Sequence, residues 1–226
     1  KQELLDLLIK NDNTNWVVSC RGTYDIICGF MLKGLFEFSK IKQEILSDYS
    51  DYIHSTHFCV MENAYYMGRK YFFGIMPLRS YFGKPDKVKL ENLDFRILKK
   101  LSTATRMKST EIARQLNTTP KIVAYKIAKM QKQDVIKGFT ISLNHEKLDI
   151  SYFKAFFYLK DKLVRKNLLN YFIQEPNFIY AIDTIGNWEM EAEFEVFSTE
   201  EYYKLMDRLE EKFSETIKTV NTLLIE

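Results

Sequence analysis

Between residues 92 and 139 apolar side chains recur at helical spacing in three short runs. The first is Leu93, Phe95, Ile97, Leu98 and Leu101, with charged residues between them. The second is Ile112, Ala113 and Leu116, and the third is Val123, Ile127 and Met130, at intervals of four and three. Each run paints one face of a helix. Ser109 and Glu111 suit the start of the second helix, where a hydroxyl takes an orphan N–H and a carboxylate meets the positive end. Asn117-Thr118-Thr119-Pro120 reads as a turn, with Thr119 as N-cap and Pro120 at the first helical position. Residues 135–143 then read as a strand, in the place of a wing. The spacing leaves Lys121, Tyr125, Lys126 and Lys129 off the core face of the third helix.

The pattern changes after residue 150. Tyr152 to Leu159 is aromatic and alternates, as a half-buried strand does. Residues 162–174 carry Leu163, Leu168, Leu169 and Phe172 at helical spacing, and 178–184 read as a second strand. Gly186-Asn187 marks a turn. From Trp188 to Phe197 acidic and apolar residues alternate, so Glu189, Glu191, Glu193 and Glu195 share one face, expected to be solvated. Ser198 caps a helix running to about residue 217, and 219–225 close the region as a strand. The order is β-α-β-β-α-β.

Residues 1–80 repeat this order. A shift of 164 positions lays 15–30 on 179–194, so that Gly22 meets Gly186, Tyr24 meets Trp188, Asp25 meets Glu189 and Phe30 meets Phe194. The shift continues without a gap to Ile53 on Ile217. A period this long points to domain duplication rather than a solenoid. Ahead of the strand that leads to Gly22 the first copy has only Lys1 to Asp12, enough for part of a helix, so its opening strand is expected upstream of Lys1, with a further helix-turn-helix before it. An initiator methionine immediately before Lys1 would exclude that expectation. The aromatic start of 71–90 is expected to extend the first copy's last strand, and Gly83 and Pro85 mark a boundary near 82–90.

Charge separates these regions. The net +3 is the balance of +1 over residues 1–84, +7 over 85–150 and −5 over 151–226. Positive charge therefore gathers on the helical stretch, as binding of a phosphate backbone requires. A helix-turn-helix places its second helix in the major groove, N-terminal residues nearest the base edges. The candidates for DNA contact are Ser109, Thr118, Thr119, Lys121, Ile122, Tyr125 and Lys126, with Arg106, Lys108 and Lys129 placed to hold the backbone. Lysine can meet phosphate or guanine, threonine hydroxyls suit phosphate, and Ile122 suits a thymine methyl.

The helical stretch resembles the leucine-responsive/asparagine-type (Lrp/AsnC) family of prokaryotic regulators. The residues that carry the resemblance are Leu93-Asp94, Ile97-Leu98, Arg106, Ser109, Ile112-Ala113, Thr119-Pro120, Val123, Lys126-Ile127, Met130, Val135-Ile136 and Gly138-Phe139. Lys126 stands where the family has arginine, losing the planar fork, and Asp134 stands where it has glycine. The resemblance covers about fifty residues. It implies a sequence-specific transcriptional regulator whose effector domains dimerise through their sheets and bind a small effector, commonly an amino acid. The effector candidates are then Gly22, Thr23, Tyr24 and Asp25 in the first copy, and Gly186, Asn187 and Trp188 in the second. The same glycines also suit a hairpin turn with positive φ.

The expected fold class is α+β, a helix-turn-helix domain (83–150) flanked by two ferredoxin-like βαββαβ domains, 1–82 lacking its first strand and 151–226 complete. The expected partners are double-stranded DNA and a small effector. The expected assembly is a homodimer, or an intrachain pseudo-dimer in which the two copies pair. Cys20, Cys28 and Cys59 lack CxxC spacing, so reduced thiols in a cytoplasmic protein are expected, with no metal or other cofactor. His54 and His57 would point to opposite faces of a strand. No membrane span and no catalytic set is expected. Two further classes stay open: an effector-binding scaffold without DNA binding, and an enzyme like the haem-precursor decarboxylases that share the scaffold. For the latter, His145 is the one histidine in the reader or second copy.

Overall fold

A computed structural model describes residues 1–74, 78–80 and 87–226. The chain divides into two compact units, one built from 1–82 with 144–226 and the other from 83–143.

The first unit is mixed α+β around an antiparallel sheet. Helix α1 (Gln2–Lys10) leads into β1 (Thr14–Gly22), β2 (Ile26–Phe30), α2 (Leu35–Tyr49) and β3 (Cys59–Tyr66). A single helical turn, α3 (Lys70–Phe73), and a two-residue strand, β4 (Arg79–Ser80), follow. Residues 71–73 of the expected strand thus lie in a helical turn, residues 75–77 lie outside the described residues, and β4 pairs with Tyr65 and Tyr66 of β3. The remaining boundary residues, 81–86, lie outside the described residues. After residue 150 come β5 (Ser151–Leu159), α7 (Arg165–Phe172), β6 (Phe178–Gly186), β7 (Met190–Val196), α8 (Thr199–Lys212) and β8 (Ile217–Ile225). Ser198 caps α8, its hydroxyl accepting from the Glu201 amide at 3.1 Å.

The strand order is β2-β1-β8-β5-β7-β6-β3-β4. Strands β8-β5-β7-β6 are contiguous, and the earlier strands attach at both their edges. Cys20, Arg21 and Gly22 pair with Ile225, Leu224 and Leu223, while β3 runs along β6 from Cys59↔Gly186 to Tyr66↔Tyr180. Strands β1 and β6 start and end 164 residues apart, and α2 and α8 start 164 apart. The correspondence then slips. Residue 53 is not in a strand where 217 is, and β3 begins at Cys59 after a longer link.

Alternation gives the sheet two different faces. Phe153, Ala155 and Phe157 of β5, with Met190, Ala192 and Phe194 of β7, point toward α7 and α8 and form the larger core with Leu168, Phe172, Tyr202 and Leu209. The Tyr202 ring stacks on Phe153 at 4.1 Å between centroids, and its hydroxyl meets Thr222 Oγ1 at 3.0 Å. Burying each aromatic there stabilises the fold by roughly 1.5–3 kcal/mol. The opposite face carries a smaller cluster of Cys20, Phe156, Trp188 and Leu223, with Val18, Tyr24, Ile27, Cys59 and Tyr158 packed on it. Both halves of the chain contribute to it.

The second unit contains α4 (Asn92–Thr103), α5 (Ser109–Leu116) and α6 (Pro120–Lys132). Their stripes meet in one core of Ile97, Leu101, Ile112, Ala113, Leu116, Val123 and Met130. Residues 135–143 form no strand. Asp134 turns left-handed (φ 60°), and the Val135 and Ile136 amides return to the Met130 carbonyl at 2.9 and 3.1 Å. This closes the end of α6 as a Schellman-type cap does, so the apolar pair serves the helix end and the wing expected there is absent.

Candidate functional site

The turn between α5 and α6 is built from local chemistry. Asn117 takes the left-handed conformation (φ 53°), which asparagine tolerates, and the Thr118 amide donates to Ala113 O at 3.0 Å. Thr119 caps α6, its hydroxyl oxygen accepting from the Ile122 amide at 3.3 Å, and Pro120 occupies the first helical position. Ser109 does not cap α5. The N-cap position is Lys108, with no side-chain cap bond, and Ser109 is the first helical residue.

Most of the candidate contact residues lie open. Lys121, Ile122, Tyr125 and Lys129 are exposed on α6, Thr119 is exposed at its start, and Arg106 and Lys108 are exposed before α5; Thr118 and Ser109 are half-buried. Positions 121, 122, 125 and 129 follow helical spacing and so share one face.

Lys126 departs from this set. It is 9% exposed, and its ammonium donates to Glu91 Oε2 at 2.8 Å and Asp94 Oδ1 at 2.9 Å. Glu91 and Asp94 already form the capping box of α4, in which the Glu91 amide donates to Asp94 Oδ2 at 2.8 Å. The lysine therefore ties α6 to the start of α4, with two of its three N–H donors spent on carboxylates that balance its charge. Burial resists ionisation of Asp94, but the Glu91 amide and Lys126 outweigh it and hold the carboxyl below its usual range. Lys126 is pushed up by the two carboxylates.

The two glycine turns meet opposite strands. Gly22 (φ 130°) lies against β8, where a Cβ would sit 2.7 Å from Thr222 O. Gly186 (φ 151°) lies against β3, where a Cβ would sit 2.6 Å from Phe58 O and 2.9 Å from Cys59 Cα. Both glycines thus serve close backbone approach as well as a positive φ. Of the other effector candidates, Tyr24 and Trp188 come together, with ring centroids 6.0 Å apart, each against Phe156. The Tyr24 hydroxyl meets His57 Nδ1 at 3.0 Å, and burial pushes its pKa up, with Tyr158 adding to the effect. Asn187 stitches the seam, its amide donating to Cys59 Sγ at 3.1 Å and its side-chain oxygen accepting from the Phe58 amide at 3.2 Å. Thr23 and Asp25 are exposed. Burial raises the thiol pKa of Cys20 and Cys28 to about 11 each.

The glutamate row is not a solvated face. Glu191 and Glu195 are buried, and both sit in ion pairs. Lys154, buried on β5, bonds Glu191 at 2.6 Å and Glu193 at 2.9 Å and lies 5.1 Å from the centroid of the Trp16 ring. Burial alone would lower its pKa, but the two carboxylates overcome this and raise it. Trp188 Nε1 donates to Glu191 Oε1 at 2.8 Å, and the Tyr152 hydroxyl donates to Glu193. The signal was present in the chain: Lys154 is the single charge in an aromatic strand, and a buried lysine needs partners. Among the described residues no group of three or more His, Cys, Asp and Glu is placed to hold a metal ion, and no helix is long and apolar enough to cross a membrane.

No family model matches the chain. A stretch of 61 residues is 38% identical to an uncharacterized HTH-type transcriptional regulator of Pyrococcus furiosus, covering 27% of this chain and 41% of that protein. The chain spans about two fifths of the length of the curated relatives it matches. Among solved structures, E. coli AsnC aligns with 61% of this chain and 92% of its own, at 22% identity and a TM-score of 0.52. A Neisseria meningitidis transcriptional regulator, solved as a complex with L-Met, aligns with 61% of this chain and 90% of its own, at 12% identity and a TM-score of 0.53. The chain resembles the AsnC/Lrp regulators, in sequence over a stretch it shares with HTH-type transcriptional regulators and in fold over about three fifths of its length.

Proposed function

We propose that this chain is a sequence-specific DNA-binding transcriptional regulator of the Lrp/AsnC type, reading DNA with α6. The observation that carries the reading is the exposed face of Lys121, Ile122, Tyr125 and Lys129, presented by a helix with a Thr119 cap and flanked by Arg106 and Lys108. Residues 85–150 add fourteen basic and seven acidic side chains, the surplus that phosphate binding uses. Lys121 and Tyr125 read or brace the groove, Ile122 meets a thymine methyl, and Thr118, Thr119 and Ser109 approach phosphate at the helix starts.

The remaining residues form two effector-like halves, the second of βαββαβ order and the first repeating that order from its first helix onward, paired within one chain as a pseudo-dimer. The pairing of β1 with β8 and of β3 with β6 supports this part of the reading. An assembly with two readers prefers half-sites about 34 Å apart or a multiple of that. A small effector, an amino acid first, binds near Tyr24 and Trp188. The Neisseria regulator solved with L-Met supports an amino acid as the first ligand to try.

The test is binding to DNA from upstream of the parent gene across a salt series, with wild type and Lys121→Ala. The logarithm of affinity should fall linearly with that of salt, and losing one phosphate contact should reduce the slope by about 0.9. Binding absent or indifferent to salt would instead favour an effector-binding scaffold.

A further inference from the structure

Glu195 is 1% exposed, near the end of β7, and its carboxylate accepts from residues on both chain segments that border the helix-turn-helix unit. From the side that enters the unit, Arg69 reaches it with two bonds, Nε to Oε2 at 2.8 Å and Nη2 to Oε1 at 2.7 Å, and the Tyr71 hydroxyl donates to Oε2. From the side that leaves it, His145 Nε2 meets Oε1 at 2.7 Å. The backbone is held as well: Asn177 Nδ2 donates to Glu195 O at 2.8 Å, and the Glu195 amide donates to Asn177 O at 3.0 Å. Burial resists ionisation, yet Arg69, Tyr71 and His145 outweigh it, and the carboxyl is held below its usual range. At the 164-residue shift its counterpart in the first half is Met31, so the carboxylate is not repeated there.

We infer that Glu195 is a positioning residue for DNA reading, a single carboxylate that anchors on the larger unit the segments from which the helix-turn-helix is entered and left. The inference rests on the DNA-binding reading for its purpose, but not for its geometry. A bidentate guanidinium fixes direction as well as charge, so Arg69 sets where the entering segment departs. Lys70 strengthens that side, donating to the carbonyls of Ile173 and Glu175. The leaving side has His145, whose ring also lies 5.0 Å from that of Tyr152.

The experiment is limited trypsin digestion of the whole chain, read by mass spectrometry, beside DNA binding with the upstream fragment. His145→Ala leaves the Arg69–Glu195 pair intact; Glu195→Gln removes the charge both connections use. Cleavage of a transiently opened segment tracks the population of the open form. His145→Ala should raise cleavage after Lys137 about tenfold, the factor matching loss of one charge-assisted bond, and leave cleavage after Arg79 unchanged. Glu195→Gln should raise both, the Arg79 site less because Lys70 still holds. Cleavage after Lys204 and Arg208, on α8, should not change in His145→Ala. Both variants should bind the fragment more weakly than wild type. Unchanged cleavage after Lys137 in both variants would overturn the inference, and so would a rise spread equally over α8, which would make Glu195 a stability residue. A wild type that binds no DNA would overturn the DNA reading, and the cleavage pattern would still decide whether the connections are clamped.

Discussion

Replacing Lys126 with methionine separates two roles a lysine on a reading helix can have. The apolar stem is kept and the ammonium is lost. Removing one partner of a buried ion pair costs about 3–5 kcal/mol, because the other is left charged and unpaired. Two features reduce that here. Asp94 keeps the bond from the Glu91 amide, and the Glu91 side chain is 70% exposed, so its share is that of a surface pair. The expected loss is about 2–3 kcal/mol, a large part of the stability of a unit this small. With a shift of about 4–8 °C per kcal/mol for a domain of this size, the melting point of the helical unit should drop by about 8–24 °C. Thermal unfolding followed by helix signal, and the salt slope of DNA binding measured well below the lowered melting point, give the two readings. The slope should match wild type, whereas Lys121→Ala should reduce it by about 0.9. An unchanged melting point together with a reduced slope would refute the reasoning and place Lys126 on phosphate.

Gly186→Ala and Gly22→Ala should each destabilise the larger unit by about 1–3 kcal/mol, since each adds a Cβ within 3 Å of backbone at a positive φ; urea midpoints check this. Lys154→Met should cost about 3–5 kcal/mol by leaving the carboxylates of Glu191 and Glu193 without their cation, and adding Glu191→Leu should recover part of the loss. Acid should weaken both units. Asp94 and Glu195 are held below their ordinary values in the folded chain, so the unfolded chain binds protons more readily. Their contribution is complete above about pH 4–4.5, where the unfolded carboxyls titrate, and is lost as pH falls through the lower folded values. Urea midpoints from pH 6 to 3 should show the decline, and Lys126→Met should flatten it for the helical unit.

The helix-turn-helix was legible because its determinants are local: three stripes, a threonine and proline at a helix start, an asparagine at a helix end. The misplacement of Lys126 has a geometric cause. It stands three residues after Val123 and four before Met130, within about 60° and 40° of them around the helix. It therefore flanks the buried stripe closely enough for its stem to be covered, and only its charge argued for the surface. The wing was misjudged because a strand needs a partner, whereas Val135 and Ile136 had a nearer use in closing α6. The glutamate row shows a different limit. Period-two alternation says that a strand has two unlike faces, but not whether water or another layer of protein covers the second. Here β1 and Trp16 cover part of it, and Lys154 supplies the compensating charge. The Glu195 cluster was out of reach, since Arg69, His145 and Glu195 are brought together only by the tertiary fold.

The seam along β1–β8 and β3–β6 joins two halves of one polypeptide. In a symmetric dimer every substitution on such a surface is made twice, and residue i must suit j while j suits i. Within a single chain that rule lapses. Glu191, Glu193 and Glu195 can stand opposite a half that has Ile27, Gly29 and Met31 at the matching places. Neither half can be lost by dilution, so the association of this surface does not vary with the amount of protein in the cell.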